Sequence, residues 1–251
     1  MSPGRWLRSL AVLLGTAALV VAAAGPVRAA YQATAVSNTT AFSFNCIKVN
    51  DTYPGKMLAS ALAGYRNLGY ATTGYSGSSF SKDRVLSRTL NDWGFYVHSH
   101  GDNYLYSGKI RDYGFKEDAG LCTGARTVFA REITAVRLGR ASNLVIMSTC
   151  HLGESATTMP GAFAIPQTKA NWGAWAGPNF YLGYVGAAWD SDEYAFETRF
   201  WSALGPGYGV GKAFDFAMLG SYNAGFGANW YGSYVWNGRA GPMPSPCPQC
   251  T

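Results

Sequence analysis

Short apolar runs alternate along this chain with segments whose apolar residues recur every three to four positions, and few folds accept that alternation. Trp93 to His98 and Asn143 to Ser148 are the clearest runs and read as buried strands. Phe42 to Val49 and Phe180 to Trp189 read as two more. Trp230 to Trp236 alternates aromatic and small residues and reads as a closing strand. Between them lie helical patterns. Met57, Leu58, Ala61, Leu62 and Tyr65 follow Pro54, a residue suited to a first helical turn. Val85, Leu86 and Leu90 follow Ser81, a good N-cap. Phe196, Phe200 and Leu204, then Val210, Phe214 and Met218, keep a four-residue period. The pattern predicts an α/β fold: a mainly parallel sheet flanked by helices on both faces. A length of 251 residues suits a single domain of this kind. Gly74 to Ser79 and residues 155–178 read as loops, and residues 108–139 follow neither pattern.

The ends of the chain read differently. Arg5 and Arg8 precede an uncharged apolar run, Leu10 to Ala24, and Val27-Arg28-Ala29 closes it with a cleavage-type site. That order is expected of a secretory signal peptide over residues 1–29, hence of a secreted protein. Its removal takes Arg5, Arg8 and Arg28 and no acid, so the formal charge falls from +6 to +3. No basic cluster with interleaved aromatics remains, which argues against a nucleic-acid partner. No further run is long enough for a membrane span in the mature chain. Residues 30–41 are polar and read as an N-terminal arm, and residues 241–251 as a Pro- and Cys-rich tail. The five cysteines are an odd number. Cys247 and Cys250 suggest a local disulfide or redox pair, and Cys46 can pair with Cys122, leaving Cys150 as the spare thiol.

The two clearest strands end in chemistry. One runs into Ser99-His100-Gly101-Asp102 and the other into Thr149-Cys150-His151. Ligands of open parallel sheets gather beyond the C-terminal strand ends. Adjacent strands lie about 4.8 Å apart, so side chains leaving neighbouring ends can meet. An imidazole that takes a thiol's proton makes a nucleophile for a carbonyl carbon, and it can return the proton to the leaving amine. In this reading Cys150 is the nucleophile and His100 the base. The N–H groups of Gly101 and Cys150 are the candidate oxyanion hole. His98 shares a face with His100 in an extended segment and is either a supporting partner or a buried structural residue. His151, adjacent to Cys150, reads as structural. Three histidines, two of them at i and i+2, give no familiar ligand set with a matching carboxylate, so neither a metal nor another cofactor is expected.

These blocks resemble the caspase–hemoglobinase superfamily. Tyr96-Val97-His98-Ser99-His100-Gly101 is similar to the Tyr-Ser-Gly-His-Gly block of metacaspases. Ser148-Thr149-Cys150-His151-Leu152-Gly153 is similar to their Asp-x-Cys-His-Ser-Gly block. Downstream, Val185 to Asp190, Phe200-Trp201, Leu204-Gly205, Lys212-Ala213-Phe214 and Trp230 to Gly238 resemble the CHAT and separase branch in order. The resemblance covers about residues 42–238. It implies a caspase-like domain over residues 42–240 and a cysteine endopeptidase acting on a peptide or protein substrate. The metacaspase Asp two residues before the nucleophile, which helps bind a basic substrate residue, is replaced here by Ser148. Trp189-Asp190-Ser191-Asp192-Glu193 resembles the separase segment that carries the corresponding acid, making Asp190 and Asp192 candidates for holding Arg or Lys. The competing reading of this segment is a helix start capped by Asp190 or Ser191, with acids favoured at the helix N-terminus. Asp102 either lines that pocket, orients His100 or faces solvent. The competing expectation is a catalytically silent caspase-like binding module, whose Trp172, Trp175, Tyr231 and Tyr234 offer stacking surface.

Overall fold

The computed structural model describes residues 31–38, 41–42, 48–49, 52–118, 124–165, 179–204, 210–219 and 227–232. The expected signal peptide, the tail, the Cys46, Cys122, Cys247 and Cys250 pairings, and Trp172, Trp175 and Tyr234 lie outside these residues. Tyr31 onward forms one unit. Its centre is a sheet of β1 (Gln32–Ser37), β4 (Ala71–Ser76), β5 (Gly94–His98), β9 (Leu144–Ser148), β10 (Phe180–Val185) and β11 (Gly227–Gly232). The spatial order is β11-β10-β9-β5-β1-β4. All neighbours are parallel except β11, which runs antiparallel to β10.

Helices cover both faces, as the alternation requires. On one face, α1 (Tyr53–Asn67), α5 (Asp190–Ala203) and α6 (Val210–Met218) pack over Ala33, Ala35, Tyr96, Ile146 and Leu182. On the other, α2 (Lys82–Asn91), α3 (Ala130–Arg137) and α4 (Met159–Ala162) pack over Val36, Phe95, Val97, Val145, Met147 and Tyr181. The split follows the two-residue period of the strands. Among the described residues no helix is long and apolar enough to cross a membrane.

The segment expected to be an arm is instead β1, in the interior of the sheet between β4 and β5. Its side chains are small because its neighbours crowd it: a Cβ at Gly94 would fall 2.7 Å from that of Ala33 and from the Tyr65 ring. Small residues give little hydrophobic signal, so the strand reads as polar. Of Phe42 to Val49 only the two ends are described, and neither joins the central sheet. They form a two-residue pairing of β2 (Ala41–Phe42) with β3 (Lys48–Val49). The unpatterned stretch holds β7 (Lys109–Lys116), β8 (Thr127–Phe129) and α3, and with β6 (Gly101–Tyr106) just before it the two strands form a separate antiparallel sheet.

The chain leaves β1 for α1 on one face, and leaves β5 for α3 on the other. The connections therefore diverge between β1 and β5, which makes the C-terminal ends of those strands the switch point where such sheets open a crevice. Helix α5 is set over that crevice by α1. Gly64 of α1 lies flat against the Trp201 ring, and Tyr65 meets the same ring edge-on at 5.2 Å. A Cβ at residue 64 has no room there. Gly64→Ala is expected to lower the unfolding free energy by about 1–3 kcal/mol in urea titrations. An unchanged midpoint would show that α5 is not held by this contact.

Candidate functional site

Three polar residues end three adjacent strands in register. Ser37 of β1 pairs with His98 of β5, and His98 pairs with Ser148 of β9. All three are buried. They share strand parity with Ala35, Tyr96 and Ile146, so the row faces α5. Helix α5 lays an acidic stripe over it, with Asp190, Glu193 and Glu197 at helical spacing. Ser148 Oγ donates to Glu193 Oε2 at 3.0 Å. Tyr96 and Tyr184 each donate their hydroxyl to Glu197, both at 2.8 Å.

The orientation of His98 follows from its neighbour. Ser37 Oγ lies 3.1 Å from the carbonyl oxygens of both Asn38 and Pro54, so its hydroxyl hydrogen goes to a carbonyl. Its remaining lone pairs can only accept, and His98 Nδ1, at 3.0 Å, must supply the hydrogen. The other ring nitrogen, Nε2, then faces Asp190 Oδ1 at 3.4 Å and Glu193 Oε2 at 3.7 Å. Burial favours the neutral ring, but the hydrogen bond to Asp190 and the charges of Glu193, Asp190 and Glu197 outweigh it and raise its pKa. Burial, reinforced by the charges of Asp190 and Glu197, pushes the Glu193 carboxyl up to about 8 against the pull of His98. Burial also raises Glu197. One imidazole and two carboxylates whose donor atoms all lie within 4.8 Å of one another form a possible metal-ligand set. The linear sequence offered His98 no matching carboxylate, because Asp190 and Glu193 arrive from α5.

Cys150 stands two residues beyond Ser148 and is partly buried. Its Sγ accepts the Ala188 N–H at 3.4 Å and lies 3.6 Å from the Ala188 carbonyl oxygen. Burial, with the negative charges of Glu193 and Asp190, pushes the thiol up to about 11, and the Ala188 N–H opposes them. His100 is exposed, two residues beyond His98, and its carbonyl accepts the Lys116 N–H at 2.9 Å. The two strand ends do meet. A Cβ on Gly101 would fall 2.5 Å from the Cys150 carbonyl oxygen and 2.8 Å from Thr149 Oγ1. Thr149 Oγ1 and Asn38 Oδ1 are buried without a hydrogen-bond partner, leaving spare polar capacity at these ends.

The remaining candidates separate. Asp102 is exposed on β6, and its carboxylate accepts the Asn103 N–H at 2.7 Å. Asp190 and Glu193, rather than Asp192, are the acids that face His98. His151 adopts a left-handed backbone (φ 65°), and its Nδ1 lies 2.5 Å from Glu154 Oε1. That carboxylate also accepts the Gly186 N–H at 3.1 Å, fastening the turn after Cys150 to the end of β10. Sequence reasoning missed Ser37, Glu154 and Glu197, and passed over Glu193 as a ligand. Only the spacing of the three α5 acids carried a signal.

No protein-family model matches the chain, and no curated protein matches it. Among solved structures it is similar to protein GSU0716 from Geobacter sulfurreducens, at 14% identity and a TM-score of 0.46. That match covers 86% of this chain and 95% of the other.

The acid cluster sets a pH dependence. Glu193 holds its proton to about 8 when folded, against an ordinary value of 4.5. Between those values the folded state binds more protons than the unfolded one, so stability falls as pH rises through the window. His98, also raised, acts in the same direction above 6.5. Chelator-treated protein is expected to be more stable near about pH 5 than near about pH 8, by on the order of a few kcal/mol. Glu193→Gln should flatten the slope. Stability that climbs across this range would contradict the assignment.

Proposed function

We propose that this chain is a secreted, caspase-like cysteine endopeptidase with Cys150 as nucleophile and His100 as proton carrier. The observation that supports the reading is the registered pairing of β5 with β9, beyond which Gly101 lies against the Cys150 backbone. The resemblance of both strand-end blocks to metacaspases adds to it. In the proposed reaction the Cys150 proton passes to the His100 ring, and the sulfur attacks the scissile carbonyl carbon. The Gly101 and Cys150 N–H groups receive the developing oxyanion. The C–N bond then breaks as His100 returns the proton to the leaving amine. Water, deprotonated by His100, hydrolyses the thioester and restores the thiol.

A basic substrate side chain suits the surroundings. Asp190 keeps 30% of its side chain exposed at the mouth of the acid cluster. A Lys or Arg placed there meets a charge-assisted partner. It also offsets the negative charges that add to burial in holding the thiol protonated, so substrate binding and thiol ionisation favour each other. Trp189, 75% exposed and next to Asp190, offers an apolar wall.

One observation favours a second reading. A thiol pushed up to about 11 is inert at rest, as expected of a silent binding module. The two readings part in one experiment. The reduced mature chain is treated with an acyloxymethyl ketone bearing Arg at the reacting position, and adducts are mapped by mass spectrometry. Peptidase chemistry predicts a Cys150 adduct that is lost in His100→Ala and reduced at least about tenfold in Asp190→Asn. Equal labelling of wild type and His100→Ala would leave the binding module as the better account.

A further inference from the structure

We propose that His98, Asp190 and Glu193 bind a divalent cation of the zinc class, with Ser37 and Ser148 holding two of the ligands in place. The site does not depend on chemistry at Cys150.

Ser37 takes the Nδ1 hydrogen because its own hydroxyl is committed to backbone carbonyls. The Nε2 lone pair of the neutral ring is therefore aimed at two carboxylate oxygens, 3.4 and 3.7 Å away. Three electron-rich atoms converge in a buried place, where the proton held by Glu193 or a positive charge between them offsets their repulsion. A proton on Nε2 supplies that charge along one line, toward one acceptor. A metal ion supplies it to all three atoms at once.

The spacing fits a metal. Zinc bonds to imidazole nitrogen and carboxylate oxygen of about 2.0–2.2 Å give tetrahedral edges of roughly 3.3–3.6 Å. The two measured edges lie at or just beyond that range, and the third donor pair also lies within 4.8 Å. The supports match as well. A metal-bound histidine characteristically donates its second ring N–H to an oxygen, and ligating carboxylates are themselves hydrogen-bonded. Ser37 and Ser148 fill those roles. The imidazole disfavours calcium and magnesium, which prefer all-oxygen shells. Asp190, partly exposed, gives the ion a path from solvent and leaves room for a water or substrate oxygen as fourth ligand. A bound ion and a cationic substrate side chain would compete for Asp190, so the metal would restrain the proposed peptidase.

The test uses the chelator-stripped mature chain and Zn²⁺ or Co²⁺ alone. Isothermal titration is expected to give one Zn²⁺ at His98 per chain. Asp190→Asn and His98→Gln should each abolish that stoichiometric binding. Ser37→Ala should weaken it by about 10–100-fold, and Cys150→Ala and His100→Ala should leave it intact. Asp190 is partly exposed, so its variant keeps the test open if His98→Gln fails to fold. Co²⁺ should give d–d absorption without a thiolate charge-transfer band. Three results would overturn the site: no stoichiometric Zn²⁺ binding by wild type, binding that survives Asp190→Asn, or a thiolate band that places the ion on cysteine. Loss of peptide labelling in the Cys150 or His100 variants would not bear on it.

Discussion

Two glutamates buried beneath a sheet must find their counter-charge and hydrogen bonds among the strands they cover, and that demand organises this molecule. Helix α5 carries Asp190, Glu193 and Glu197 toward the sheet, and the sheet answers with a row of partners. Ser148 and His98 meet the first turn of the helix, and Tyr96 and Tyr184 meet Glu197. Removing one partner would leave a carboxyl group without compensation in a low-dielectric interior, which is why such networks are satisfied throughout or not built. The register of β1, β5 and β9, the small residues of β1 and the close approach of α1 to α5 all serve to hold this row under the helix.

The reactive-looking groups take their character from the same cluster. Cys150 leaves β9 just beyond Ser148, and burial, reinforced by the negative charges of Glu193 and Asp190, keeps its proton in place. In the proposed peptidase a substrate cation at Asp190 would favour ionisation of this thiol, and a metal ion on the same acid would compete with it. The turn that carries the thiol is held firmly: Glu154 ties it to Gly186, and the Gly153 N–H donates to the Tyr184 carbonyl at 2.6 Å. Gly153 packs directly on the Gly183 backbone, where no side chain would fit.

Much of this was legible in the chain. The apolar runs at Trp93 to His98 and Asn143 to Ser148 became β5 and β9, and the Ser81 cap and the α1, α5 and α6 periodicities appeared where expected. The helix-covered parallel sheet followed from their alternation. What stayed hidden had physical reasons. Strand β1 is built of Ala, Thr and Val because it lies under crowded neighbours, and small residues do not announce burial. In the β6–β7–β8 sheet the strands are half exposed, with β7 passing from three exposed residues to four buried ones, so they carry no single hydrophobic period. The cluster itself joins residues more than ninety positions apart, which register and helix docking bring together and spacing along the chain cannot show. His98 therefore read as a bystander to His100, although it is the histidine at the centre of the buried network.

The protonation of His98 is where the account is most exposed. Nitrogen-15 NMR of the metal-free protein at pH 6.5, the ordinary histidine value, should show the ring more than half protonated, with Nδ1–H donated to Ser37. A neutral ring at that pH with its single proton on Nε2 would mean that Ser37 does not set its direction, and the row would then place no demand for a cation on the acids of α5.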